Sequence, residues 1–143
     1  MPEPLPYSDV RPDEQIIRYL VQPKWFNQRT GHISGQAFIP RNPKTQGMPF
    51  ATSVYRTDGC LLEEIWSIGD EFVTNQHPER LPILGVARLE VQKVLAGDLQ
   101  VEPSPHPHPR HADIVRWPNE AEKQLEKAGQ LALAAQLVVR PIS

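Results

Sequence analysis

Cysteine is nearly missing from this chain: Cys60 is the only one in 143 residues. No internal disulfide can form, which excludes a secreted scaffold stapled by disulfides. No run of about 18 consecutive apolar residues occurs, so nothing reads as a membrane-spanning helix. The opening MPEPLPYSDV lacks the basic segment and apolar stretch of a secretory leader. The expectation is therefore a soluble cytoplasmic protein without a membrane partner. Net charge is only −2, so the excess of positive charge that would favour general nucleic-acid binding is missing too. The common catalytic signatures are equally absent: there is no Gly-x-Ser-x-Gly elbow, no phosphate-cradling glycine loop and no Cys-x-x-Cys pair. No internal repeat of 20 to 50 residues is found.

What is there is ordinary in bulk and unusual in one respect. Hydrophobic residues make up 39% and charged residues 22%, the balance of a globular chain that buries a core. The length suits one domain. Prolines number 16 and gather near the start and between Pro103 and Pro109. We expect residues 1–12 to form a flexible tail and residues 13–143 a single α+β domain, with a small mixed or antiparallel sheet packed by a central and a C-terminal helix.

Local patterns supply the elements. Strands are predicted over Gln15–Val21, Ile33–Ile39 and Phe50–Arg56, from β-branched and alternating residues bounded by turns. Residues 40–49 read as a loop, a lid or an exposed tip. Apolar positions 61, 62, 65, 66, 68, 72 and 73 give an amphipathic helix from Cys60 to about Thr74, with Asp58 placed to cap it. Ile83–Val91 reads as a strand, Gln92–Asp98 as a helical turn, Leu99–Val101 as a short strand and Ala112–Trp117 as another. Asn119 and Glu122 resemble a capping box. From there a terminal helix carries the stripe Ala121, Leu125, Ala128, Ala132, Ala135 and Val139, suited to close packing against a sheet.

Chemistry is easiest to place between Glu102 and Trp117. His106, His108, His111 and Asp113, spaced H-x-H-x-x-H-x-D, are ligand types for zinc or another divalent metal. Against that reading, prolines 103, 105, 107 and 109 favour polyproline II, which splays alternate side chains. The alternatives are an exposed proline-stiffened connector leading into a strand, and a functional His111 alone. Arg18, inside an apolar strand, either faces solvent or reaches into a cleft to hold an anion. Cys60 either packs as a small apolar side chain or acts as a thiol nucleophile.

The motifs Arg18 with Pro23, Ser34 with Gln36-Ala37-Phe38, Ser53-Val54-Tyr55, Gly85-Val86 and His111-Ala112-Asp113-Ile114 resemble those of an uncharacterised family of small bacterial proteins. The likeness covers most of residues 16 to 135, with Thr52 where the family pattern has leucine. It implies a fold outline and no activity. The matched polar residues are Arg18, Ser34, Ser53 and His111, while His106 and His108 fall outside the pattern. If their strands share a sheet, these four would line one cleft suited to a phosphate or carboxylate. The expectation is a binding or interaction module, of accessory or immunity type, for an anionic ligand or a protein partner, and no cofactor. The alternative is an enzyme on a phosphate- or nucleotide-containing substrate, either a metal-assisted hydrolase or an ADP-ribosyl transferase-like protein. For the latter, Glu90 and Glu102 are the only candidate glutamates.

Overall fold

The computed structural model describes residues 9–41, 50–75 and 82–141. Residues 42–49 of the expected loop or lid, and most of the expected connector at 77–82, lie outside these. Among the described residues eight strands occur in chain order: β1 (Gln15–Tyr19), β2 (Phe26–Asn27), β3 (His32–Ile33), β4 (Thr52–Arg56), β5 (Gly85–Glu90), β6 (Gln100–Pro103), β7 (His111–Val115) and β8 (Gln136–Val139). The α-helices are α1 (Leu62–Ile68), α2 (Val91–Ala96) and α3 (Ala121–Ala134). β2 and β3 form a small hairpin, and the other six strands make an antiparallel sheet in the order β6-β7-β4-β1-β5-β8. The fold is thus α+β, with helices on both faces of the sheet. Among the described residues, no helix is long and apolar enough to cross a membrane.

Alternation along the strands divides the molecule into two cores. Ile16, Leu20, Val54, Ala87, Leu89, Ala112 and Ile114 face α3 and a 3-10 turn at Gly35–Phe38. Ile17, Tyr19, Tyr55 and Val86 face Ile65, Trp66 and Val73 on the opposite side. The first core closes tightly because α3 meets the 3-10 turn at two glycines: a Cβ on Gly35 would sit 3.1 Å from the Gly129 Cα. On the second face α1 runs directly into a π-helical segment, Gly69–Thr74. Gly69 is required at that junction, since a Cβ there would lie 2.6 Å from Cε1 of Tyr19. Arg140 fastens the segment from below, pairing with both Asp70 carboxylate oxygens at 2.9 Å.

Several expectations are corrected. The predicted strand Ile33–Ile39 is a strand only at His32–Ile33; Ser34 then caps the 3-10 turn by accepting from the Gln36 N–H at 3.1 Å. Asp58 does not cap α1. Its carboxylate accepts from the Gln15 N–H at 3.0 Å, and Glu64 reaches back to the Leu61 N–H at 3.2 Å. The terminal helix begins after Glu120 rather than Asn119 and ends at Ala134. Ala135 is extended, and Gln136–Val139 joins the sheet beside β5, so Val139 belongs to an edge strand. Ala121 and Leu125 of the predicted stripe are exposed, whereas Ala128, Leu131 and Ala132 are buried. The proline run is a connector that leads into β7, as one of the alternatives had it, and it returns the chain on itself. β6 and β7 pair antiparallel, Pro103 opposite Ala112, so residues 104–110 form the loop of a hairpin. Of the expected tail, Asp9 to Pro12 are held against the domain: the Asp9 and Pro12 carbonyls accept from Arg56 and from the Gln92 N–H.

Candidate functional site

Three strands adjacent in the sheet, β7, β4 and β1, carry His111, Ser53 and Arg18. The β4–β7 register sets Tyr55 opposite His111 and Ser53 opposite Asp113. All four therefore point to the α1 side, while Val54 and Ala112 between them enter the other core. His111 crosses diagonally, and its Nε2 lies 2.6 Å from Ser53 Oγ. Diagonal neighbours on an antiparallel pair are within reach of a side chain this long.

The hairpin loop sets the imidazole. The Ser104 N–H donates to the His111 carbonyl at 3.0 Å, and the Ser104 carbonyl faces His111 Nδ1 at 2.9 Å. A carbonyl can only accept, so Nδ1 carries a hydrogen. In the neutral ring Nε2 is then the acceptor, and the Ser53 hydroxyl donates to it. Burial pushes the imidazole below its ordinary value of 6.5. Asp113 and the Ser104 carbonyl pull it up, Arg41 and Arg18 push it down, and the net direction is down. His111 is thus a neutral base with a fixed tautomer. Arg110 anchors the loop, its guanidinium donating to the carbonyls of Arg56 at 3.2 Å and Asp58 at 2.9 Å.

Arg18 arrives by a different route. Strand alternation puts it on the side of Ile16 and Leu20, opposite Ala87. The β1–β4 ladder, however, comprises only Ile16–Arg56 and Ile17–Tyr55. Where it ends, the guanidinium occupies the gap, donating from Nε to the Ala37 carbonyl at 2.8 Å and from Nη1 to the Ser53 carbonyl at 3.1 Å. It also stands 5.1 Å from the centre of the Trp25 ring, a cation–π distance. Of the two fates foreseen for Arg18, the structure takes the cleft rather than solvent.

Arg18, Arg41, Ser53 and His111 line a single cavity of about 240 Å³. Its apolar wall is Tyr19, Tyr55, Phe72, Val73 and Pro107. Phe72 and Val73 come from the π-helical segment, a wide turn that is rare and frequent at functional sites. The wall is a chain of edge-to-face rings: Tyr19 and Tyr55 are 5.2 Å apart, as are Tyr55 and His111. Tyr19 is held by its hydroxyl, which donates to the Ile65 carbonyl at 2.5 Å, and burial raises that phenol far above its ordinary value. The described residues lining the cavity include two guanidinium groups and no carboxylate. Asp113 stands beside it, with Oδ1 3.7 Å from Arg41 and 4.0 Å from His111 Nε2. That oxygen is buried and accepts no hydrogen bond.

Ser34 does not join the cleft; its hydroxyl is committed to the Gln36 N–H. The candidate metal set does not assemble either. His106 is exposed, His108 Nδ1 accepts from the Arg110 N–H at 3.1 Å, and only His111 and Asp113 share a strand face. Among the described residues no group of three or more histidines, cysteines or acids could hold a metal ion. Glu90 bonds Gln92, and Glu102 lies exposed on β6; neither lines the cavity. Cys60 packs half-buried against the second core, and burial raises its thiol, which disfavours the thiolate. Sequence reasoning missed Arg41, Tyr19, Tyr55 and Phe72. Tyr55 was within reach, since it alternates with Ser53.

No known protein family, curated protein or solved structure matches the chain. The chemistry of the cleft therefore stands on its own residues.

Proposed function

We propose that the protein binds a small anionic ligand, carrying a phosphate or carboxylate group, in the cleft between β7, β4 and β1. The observation that carries this reading is the lining itself: two guanidinium groups, a hydroxyl and an imidazole, with no carboxylate among the described lining residues and Asp113 alongside. Arginine holds such oxyanions through its planar fork of donors. The aromatic wall adds a dry surface for the rest of the ligand, and the small volume favours a small molecule over a polymer.

The experiment is isothermal titration with inorganic phosphate, pyrophosphate, AMP and citrate. Arg41 is the informative position, because its side chain is 56% exposed and its removal leaves both cores intact. Arg41→Ala should weaken the best of these ligands by about 10-fold, the value of a charge-assisted hydrogen bond of 1.5–3 kcal/mol at its lower end, without lowering the melting temperature. Absence of binding by all four, in a folded wild-type protein, would refute the reading. Arg18→Ala would test it less cleanly, since Arg18 also ties two backbone carbonyls together.

A further inference from the structure

The cleft contains more than an anion site needs. A phosphate or carboxylate is held by donors, yet the imidazole here presents a lone pair, not a hydrogen, to Ser53. Three features of that pair coincide with the requirements for an activated nucleophile: a hydroxyl lining a cavity, a base within hydrogen-bond reach of it, and a fixed group orienting the base. Here these are Ser53, His111 Nε2 at 2.6 Å, and the Ser104 carbonyl at 2.9 Å from Nδ1.

We propose that Ser53 is a nucleophile activated by His111, and that the cleft carries out acyl transfer to water from a small ester or thioester bearing an anionic group. This rests on the anion-binding reading, which supplies the hold on the substrate. Ser53 Oγ attacks the carbonyl carbon, forming a C–O bond as the C=O pair moves onto oxygen and the hydroxyl proton passes to Nε2. The intermediate collapses, the bond to the leaving alkoxide or thiolate breaks, and Nε2 returns the proton to it. Water then gives a proton to Nε2 and adds to the acyl carbon. The acid leaves and the proton goes back to Ser53 Oγ, so the sum is ester plus water to acid plus alcohol, or thiol for a thioester.

The surroundings suit each charge that develops. The imidazolium lies between the Ser104 carbonyl at Nδ1 and the Asp113 carboxylate, 4.0 Å from Nε2. This gives the Asp113 oxygen, which accepts no hydrogen bond, a role: it is a positioning and charge-balancing group that touches no substrate. Arg18, whose guanidinium reaches the Ser53 carbonyl at 3.1 Å, supplies positive charge beside the attacking residue, and Arg41 is left to hold the anionic group of the substrate.

The test is labelling of the full chain with a fluorophosphonate probe, read by intact mass and peptide mapping. The expected result is one adduct, on Ser53, whose formation slows by at least about 100-fold in His111→Gln, the lower range of general-base assistance. Inorganic phosphate should compete with it. Mapping reads the residue in the wild-type protein, so it does not depend on a variant folding. The pH profile gives a second reading of the base: the labelling rate should fall as pH drops below the ordinary histidine range. The titratable and charged groups facing His111 are Asp113, Arg41, Arg18, Tyr55 and His108. No adduct, an adduct on another serine, or a rate indifferent to both His111→Gln and pH would overturn the proposal. Phosphate binding without labelling would overturn the nucleophile and leave the anion site standing; loss of both would remove the two together.

Discussion

The two faces of the sheet come from alternate residues of the same strands, yet one is sealed and the other is open. On β4, Thr52 and Val54 turn to the sealed side, while Ser53 and Tyr55 turn to the open one. On β7, Ala112 and Ile114 oppose His111 and Asp113 in the same way. The sealed face even satisfies its one strand hydroxyl internally, Thr52 donating to the Phe38 carbonyl at 2.9 Å. The open face leaves a carboxylate oxygen without a hydrogen bond and a hydroxyl at a cavity. The side facing the cleft carries Ser53, His111 and Asp113, while the polar groups that β4 sends to the sealed side, Thr52 and Arg56, are satisfied by the Phe38 carbonyl and by Glu14 at 2.8 Å. Both faces bury an apolar core, and the second, through Tyr19, Tyr55 and Val73, also borders the cavity.

The largest expected effect breaks the sealed face. Phe38 is fully buried, and Phe38→Ala should cost about 3–5 kcal/mol, the range for deleting a core aromatic ring, measured by urea unfolding. Ligand affinity of the fraction that remains folded should be unchanged. If affinity fell in step with stability, the two faces would not be separable.

A smaller effect is expected where the open face is built. Gly69→Ala forces a methyl group to 2.6 Å from Tyr19 Cε1 and 2.9 Å from Ile83 Cγ1. Overpacking of this kind costs about 1–3 kcal/mol. Because Tyr19 is also a wall of the cavity, phosphate affinity should fall too, which titration calorimetry would read. An affinity equal to wild type would show that the ring wall is not part of the site.

The smallest effect is on pH dependence. His111 is held below its ordinary 6.5 by burial, and His108 is shifted the same way by burial and by Arg110. The unfolded chain therefore takes up these protons first as pH falls. Stability from the pair is complete above about pH 6.5, declines as pH drops from there towards the folded values, and is level below them. Melting temperatures between pH 7.5 and 5.5 should show this decline, with a shallower slope in His111→Gln.

Much of the sheet was legible because strands declare themselves by alternation. Four of the predicted strands, around Ile16, Val54, Val86 and Ala112, form the continuous run β7-β4-β1-β5. The 3-10 turn at Gly35–Phe38 was not, because Ile33, Ala37 and Ile39 mimic a period of two across a glycine. Ser34, the cap of that turn, was drawn into the wrong role by the same reading. β8 was hidden because Gln136–Val139 continues the apolar spacing of α3 in sequence. Its β-branched valines were the available signal. In the site, Ser53 and His111 could be paired only through register, which a sequence does not display. Arg18 could not be placed by alternation at all, since it enters the cleft where two strands part. The histidine run drew attention for its density, but only the residue that begins β7 reaches the cavity with its hydrogen bonds directed.

The most direct measurement is the histidine ring nitrogen spectrum of the folded protein by long-range proton–nitrogen NMR. The expected spectrum shows His111 neutral at pH 7, with hydrogen on Nδ1 and an acceptor shift at Nε2 that changes in Ser53→Ala and on adding inorganic phosphate. A ring with its hydrogen on Nε2, indifferent to both, would contradict it.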